Sequence, residues 1–327
     1  MGMKRLIFIL LFCMVLVPTS TAQYTAPAPA PSGSKVGLSL LVTNKDGKGL
    51  DSIRKDEIRV FENKTEQKIL SIEADERPVD YVIVVDSTGS FVKLIQSAID
   101  AAKLFIVNRR PQDQVAIVRF VNSYNIEKVI GFSTDGDALQ DALEGLFVGE
   151  GQSALIDGLY LSAQFVSEHN NGNEDRRKAL IVFTDGEERI SYYKPQDLLK
   201  LLYQESVQMF AIGLTGELSP SKKSGKGSPR ENAEKFLATV AGNSGGRAFI
   251  PETKEQLVAS VAEILLHLRA QFRINYQSTN DASKTGFREV EVKFVSPDEN
   301  RHLVTPRAYY VGPKTPPEKS EKKKKKL

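Results

Sequence analysis

Between residues 79 and 271 the chain alternates short apolar runs with amphipathic segments, and two runs constrain the fold more than anything else in it. VDYVIVVD (79–86) and KALIVFTD (178–185) are apolar on both alternating faces and each ends in a carboxylate. A strand that is apolar on both sides has to be covered on both faces, as in a parallel sheet. Further strand patterns follow at QVAIVRF (114–120), NIEKVIGF (125–132), VQMFAIGL (207–214) and GRAFI (246–250). Apolar residues recur at helical spacing between them, which predicts helices over 91–108, 135–147, 153–169, 195–205, 230–241 and 254–271. Strands alternating with helices predict an α/β fold: a Rossmann-like, doubly wound, mostly parallel sheet with helices on both sides.

The flanks read differently. Residues 36–77 hold strand patterns (VGLSLLVT, EIRVFEN, QKILSIEA) separated by turn signals at Asn44–Gly47 and Asn63–Lys64. Residues 272–313 return to strands (FRINYQS, FREVEVKFV, HLVTPRAYYV), with Val290, Val292 and Phe294 on one face of the second. The first flank alone makes a small β unit of three or four strands, which buries little by itself. The economical expectation is that the two flanks pair with each other, with the α/β domain of residues 78–271 inserted between them.

The ends look non-globular. Residues 1–22 have a charged start at Lys4 and Arg5, a short apolar core from Leu6 to Val17 and small residues at Ser20–Ala22. This is the pattern of a secretory signal, with an apolar run short for a membrane span. The sole cysteine, Cys13, falls inside it. An exported chain without disulfides suits a bacterial periplasmic or surface protein. Residues 23–35 are an Ala/Pro spacer, and 314–327 a disordered Lys-rich tail able to contact anionic surfaces. The formal charge of +3 is carried by the two ends, leaving a mildly acidic body without the basic face of a nucleic-acid-binding domain.

In an open α/β sheet, ligands bind beyond the carboxyl ends of the strands. Three segments should meet there: Asp86-Ser87-Thr88-Gly89-Ser90, GEGQSALIDG (149–158) and FTDGEE (183–188). They supply carboxylates from Asp86 and Asp185 and hydroxyls from Thr88, Ser90 and Ser153, all hard oxygen donors suited to Mg²⁺, Mn²⁺ or Ca²⁺. The histidines, His169, His267 and His302, have no ligand spacing, which disfavours zinc.

D-x-T-x-S after a buried strand, then G-x-S-A-L-x-D-G, then F-T-D-G-E, resembles the metal-ion-dependent adhesion site of von Willebrand factor type A domains over residues 78–265. The likeness extends to a bacterial group of exported proteins through Gly245–Phe249, Leu268–Tyr276 and Arg307–Tyr310. The family's first loop is usually D-x-S-x-S and its second usually carries Thr; Thr88 and Ser153 depart from this but keep the oxygen. The resemblance implies direct ligation of Mg²⁺ or Mn²⁺ by Thr88, Ser90 and Ser153, with Asp86 and Asp185 acting directly or through water. Hydroxyl ligands leave the ion's charge poorly neutralised, so a partner's Asp or Glu is expected to complete the shell. The implied function is metal-dependent protein binding or adhesion, with no enzymatic activity and no nucleic acid.

Other readings stay open at this stage. The hydroxyls of 87–90 and Ser153 could cap helices, and Asp185-Gly186 could be a turn. The module could be structural, in a periplasmic or surface assembly with a vacant site. Catalysis finds less support: Thr88 interrupts both an aspartic-protease D-T/S-G and a phosphotransfer D-x-D pattern, and no motif places a histidine beside Ser87 or Ser90. A Mg²⁺-dependent hydrolase is the remaining enzymatic alternative. Residues 214–230, with Lys222, Lys223, Lys226 and Arg230, are expected at the same sheet edge as a basic rim.

Overall fold

The structure is a computed structural model that describes residues 34–312 except 171–172, 174, 222–226 and 282. The expected signal, nearly all of the spacer and the Lys-rich tail lie outside the described residues. No helix among the described residues is long and apolar enough to cross a membrane.

The elements follow in chain order: β1 (Lys35–Asn44), β2 (Ile58–Glu62), β3 (Thr65–Ala74), β4 (Val79–Asp86), α1 (Ile95–Asn108), β5 (Gln114–Phe120), β6 (Ile126–Ser133), α2 (Gly136–Glu144), α3 (Leu155–Asn170), β7 (Arg177–Thr184), α4 (Pro195–Glu205), β8 (Val207–Gly213), α5 (Pro229–Asn243), β9 (Ala248–Phe249), α6 (Lys254–Arg269), β10 (Gln271–Gln277), β11 (Gly286–Phe294), β12 (Arg301–Val304) and β13 (Ala308–Val311). Lys35 opens a strand, so the spacer expected to run to residue 35 stops short of it.

Six strands form the α/β sheet in the order β6-β5-β4-β7-β8-β9. All neighbours run parallel except β5 and β6, so the sheet is mixed, with one antiparallel edge. The two apolar runs become its centre, β4 and β7, where every residue is buried. Alternate residues serve opposite faces. Tyr81, Ile83 and Val85 join α1, α2 and α6 in one core. Val82 and Val84 join α3, α4 and α5 in another. From β4 the chain moves outward to β5 and β6, then returns to the other side of β4 at β7. That reversal opens a crevice at the carboxyl ends of β4 and β7, the position where such sheets take ligands.

The N-terminal flank supplies three strands, β1 to β3, within the three or four expected of it, and the C-terminal flank supplies four. They pair as expected, β1 with β10, β10 with β3 and β2 with β11, but build a seven-stranded antiparallel sheet ordered β12-β1-β10-β3-β2-β11-β13. β12 and β13 occupy opposite edges although only residues 305–307 separate them. From Val304 to Ala308 the chain reaches at most about 14 Å, whereas seven flat strands would set their edges about 29 Å apart. The sheet therefore has to curl until its edges nearly meet. A third core lines it, from Leu38 and Leu40 of β1 to Ile274 and Tyr276 of β10. Buried within it, Glu62 accepts hydrogen bonds from Tyr276 Oη (2.7 Å), Tyr309 Oη (2.9 Å) and Ser278 Oγ (2.9 Å).

Polar contacts join the two sheets. Arg177, at the start of β7, donates to Gln271 Oε1 (3.0 Å) and to the Leu268 carbonyl (2.6 Å), and lies 3.9 Å from Asp75. His267 of α6 is buried and bonds through Nε2 to the Gly47 carbonyl in the turn after β1 (3.3 Å).

Candidate metal centre

Asp86 is the last residue of β4 and fully buried. Its Oδ1 accepts from the Thr88 backbone N (3.0 Å) and from Thr88 Oγ1 (2.6 Å). Its Oδ2 accepts from Thr184 Oγ1 (2.7 Å) at the end of β7. Ser90 Oγ donates to Asp185 Oδ2 (2.7 Å), and Asp185 Oδ1 accepts from the Glu187 backbone N (2.8 Å). Thr88 Oγ1 and Ser90 Oγ stand 3.1 Å apart. Four of the five expected residues, Asp86, Thr88, Ser90 and Asp185, thus form one continuous chain of oxygens.

The fifth, Ser153, comes from the second loop. Its carbonyl accepts from the backbone N of Arg189 (3.0 Å) and Ile190 (3.2 Å), which ties the second loop to the third. The first and second loops are joined by Gly149 N to the Ser87 carbonyl (2.8 Å). Ser153 Oγ is buried and makes no hydrogen bond, and neither does Ser87 Oγ.

Helix capping does not account for these hydroxyls. Thr88 precedes a short 3₁₀ turn, Gly89–Phe91, without a side-chain cap bond, and α1 begins only at Ile95, four residues later than the sequence suggests. At the start of α3 the donors are met by other groups: Glu188 Oε2 accepts from Ile156 N (2.9 Å), and Ser191 Oγ from Asp157 N (3.1 Å). Glu188 therefore serves α3, while Glu187 pairs with Arg189 (2.5 Å).

A hydroxyl has one hydrogen. With both carboxylates ionised, that of Thr88 goes to Asp86 and that of Ser90 to Asp185, so their 3.1 Å contact sets lone pair against lone pair. Such an arrangement invites a cation. Neighbouring ligands of an octahedral Mg²⁺ with bonds of 2.0–2.1 Å stand about 3 Å apart, close to the spacing seen here. The unpartnered Ser153 hydroxyl is a further donor with nothing to bind. Electrostatics agree: burial and then the nearby Asp185 push Asp86 up to about 7, and burial raises Asp185 as well. A divalent cation would relieve both. Thr88, Ser90 and Ser153, with Asp86 and Asp185, are the residues that would hold it.

Among the described residues, no three His, Cys, Asp or Glu side chains gather to hold a metal ion. The histidines are engaged elsewhere: His169 with Gln114 and Phe132, His267 with Gly47, and His302 within β12. The candidate centre is instead two carboxylates joined through hydroxyls. The sequence reading missed Thr184, whose Oγ1 donates to Asp86 and accepts from Gly186 N (2.9 Å). Its signal was a hydroxyl at the end of an apolar strand, directly before Asp185.

The expected basic rim is only partly visible. Lys222, Lys223 and Lys226 lie outside the described residues. Arg230 donates to the Gly216 carbonyl (2.5 Å), and the described start of the loop offers an acid, Glu217, paired with Lys93 (2.8 Å).

Residues 81–188 match the family model of the von Willebrand factor type A domain, and this part of the chain is a domain of that type. Solved structures resemble the chain at low identity. An aerotolerance-related membrane protein from Bacteroides fragilis is 15% identical, over 57% of this chain and 98% of its own (TM-score 0.43). A von Willebrand factor type A protein from Catenulispora acidiphila is 13% identical, over 79% and 74% (TM-score 0.46). Proximal thread matrix protein 1 of the mussel byssus, with a zinc-occupied adhesion-site motif, is 19% identical, over 60% and 48% (TM-score 0.45). No curated protein matches the chain in sequence.

Proposed function

We propose that this protein is a divalent-cation-dependent protein-binding module whose Mg²⁺ or Mn²⁺ takes its last ligand from a partner's carboxylate. The observation that carries the reading is the 3.1 Å contact between the Thr88 and Ser90 hydroxyls, held between two buried carboxylates. When bound, the cation supplies a positive centre with a position open to an anionic ligand. The chain's part is to hold the oxygens at fixed spacing. Asp86 orients Thr88, Asp185 orients Ser90, and Thr184 locks Asp86 across the crevice. The third loop is braced against α3 through Glu188, so the site is supported before any partner arrives.

The reading is one of binding and not of turnover. Among the described residues each cluster hydroxyl that donates does so to a carboxylate, and the three histidines stand elsewhere. Export is part of the same proposal and rests on the signal pattern at 1–22. Titration of the full chain with Mn²⁺, followed by electron paramagnetic resonance of the free ion, tests the centre directly. One bound ion per chain is expected, and none for Asp86→Ala. Pull-down from cell extract with and without EDTA tests the output. Cation-dependent hydrolysis lost in Asp86→Ala would replace binding by catalysis.

A further inference from the structure

Eleven large hydrophobic side chains are exposed among the described residues, and five of them stand in the loops around the oxygen cluster: Val92, Tyr124, Phe147, Ile190 and Tyr192. Tyr124 is 90% exposed and Phe147 59%. The loops that carry them are tied to the site. Ile190 N bonds the Ser153 carbonyl. Tyr124 N bonds Asn122 Oδ1 (3.0 Å), and a Cβ on Gly151 would lie 2.8 Å from Asn122 Nδ2, so that loop abuts the second. Phe147 lies under the Arg119 guanidinium, 3.9 Å from its ring centre.

The five come from both sides of the sheet. Val92 lies on the way into α1, on one face. Tyr192 sets its ring edge-on to Tyr193 (5.2 Å), which stacks on Tyr160 of α3 on the other face (3.7 Å). The crevice at the ends of β4 and β7 lies between α1 and α3, so the loops that carry these side chains stand on both sides of it. Among the described residues, six charged groups of these loops are matched in pairs: Lys93 with Glu217, Arg189 with Glu187, Arg119 with Glu127. Beside these pairs, the described loops offer a partner apolar surface. Exposed apolar groups gathered in one place mark interaction sites, and Tyr is prominent among the anchors of protein interfaces.

We infer that this collar receives the apolar residues on either side of the partner's acidic residue, so that the partner is a protein segment with one carboxylate set among aliphatic or aromatic side chains. The inference rests on the ion-centred reading of the site. A run of several acids would leave the collar wet and bring like charges against the carboxylates of the rim. A glycan would stack on the aromatic rings but leave the aliphatic Val92 and Ile190 without a partner.

The test selects displayed heptapeptides, with a fixed central Asp and random flanks, on the full chain in Mn²⁺. Selected peptides are expected to carry aliphatic or aromatic flanks and to be released by EDTA. The triple variant Tyr124→Ser, Phe147→Ser, Tyr192→Ser should bind them about tenfold more weakly or worse, with Mn²⁺ affinity unchanged. Selection without apolar flanks, or undiminished binding by the triple variant, would overturn the collar while leaving the ion centre standing. Failure of the full chain to bind Mn²⁺ would remove the ion centre and the inference with it. Should the triple variant not fold, Tyr124→Ser alone, at the most exposed of the five, is expected to weaken binding about threefold; no change would count against the collar.

Discussion

At the scale of single residues, the centre is a problem of hydrogen counting. Thr88 and Ser90 each have one proton and each gives it to a different aspartate. Replacing Thr88 by Val keeps the shape and removes the oxygen. Mn²⁺ affinity should fall at least about tenfold, by analogy with the loss of ligand-supporting groups, while circular dichroism stays unchanged. Asp86 gives a pH signature. Burial, with Asp185 second, pushes it up to about 7 in the folded chain, above about 4 in an unfolded one. The folded state then holds the extra proton between those values, so the ion-free protein loses stability as pH rises through that window. Asp86→Asn should abolish Mn²⁺ binding yet raise the ion-free melting temperature at pH 8, corresponding to about 1–2 kcal/mol, with a flatter pH profile. These residues were legible in sequence because the carboxylate and hydroxyls end an apolar strand. Thr184 was not, since its hydroxyl gains meaning only beside Asp86 on the neighbouring strand.

At the scale of elements, close approach decides what substitutions the fold tolerates. A Cβ on Gly246 would lie 2.0 Å from the Met209 carbonyl oxygen, a backbone atom of β8 that cannot step aside. Gly246→Ala should therefore destabilise by about 3 kcal/mol or more, measured by urea unfolding. Capping works on a smaller scale. Ser228 Oγ accepts from Glu231 N (3.1 Å), and Glu231 Oε2 accepts from Ser228 N (3.1 Å), at the start of α5. Ser228→Ala should cost about 1 kcal/mol in the same assay. All six helices were visible as apolar periodicity, but α1 starts at Ile95 because Gly89–Phe91 turn as a 3₁₀ segment that holds Ser90 over Asp185. The antiparallel direction of β6 lies in the short connection and not in the strand's own residues: 121–125 are too few for a parallel crossover from β5.

At the scale of the molecule, the α/β part has two cores of its own and the curled sheet a third, drawn from both flanks. Deleting residues 272–312 removes β10, which lies between β1 and β3, so the curled sheet should be lost while the α/β helices persist. Far-ultraviolet circular dichroism and a urea-unfolding slope reduced to that of a smaller domain would show this. Arg177, buried at the boundary, keeps Gln271 in the shortened chain. His267 reports on the same boundary. Burial lowers its pKa despite its bond to Gly47, with Arg247 adding repulsion. The unfolded chain then takes up the proton first, and stability falls as pH drops below about 6.5. His267→Gln should flatten that limb of the melting-temperature profile.

The order of strands and helices and the doubly covered β4 and β7 were written in local pattern, because burial on one or two faces dictates residue type at each position; the candidate oxygen donors Asp86, Thr88, Ser90, Ser153 and Asp185 were named from the residues at the strand ends and loops of that pattern. The tertiary structure alone decided the curl of the seven-stranded sheet, the role of Thr184, the Glu188 brace on α3 and the apolar collar. Each of these depends on which distant segments come within a few ångströms of one another, a separation that local residue pattern does not encode.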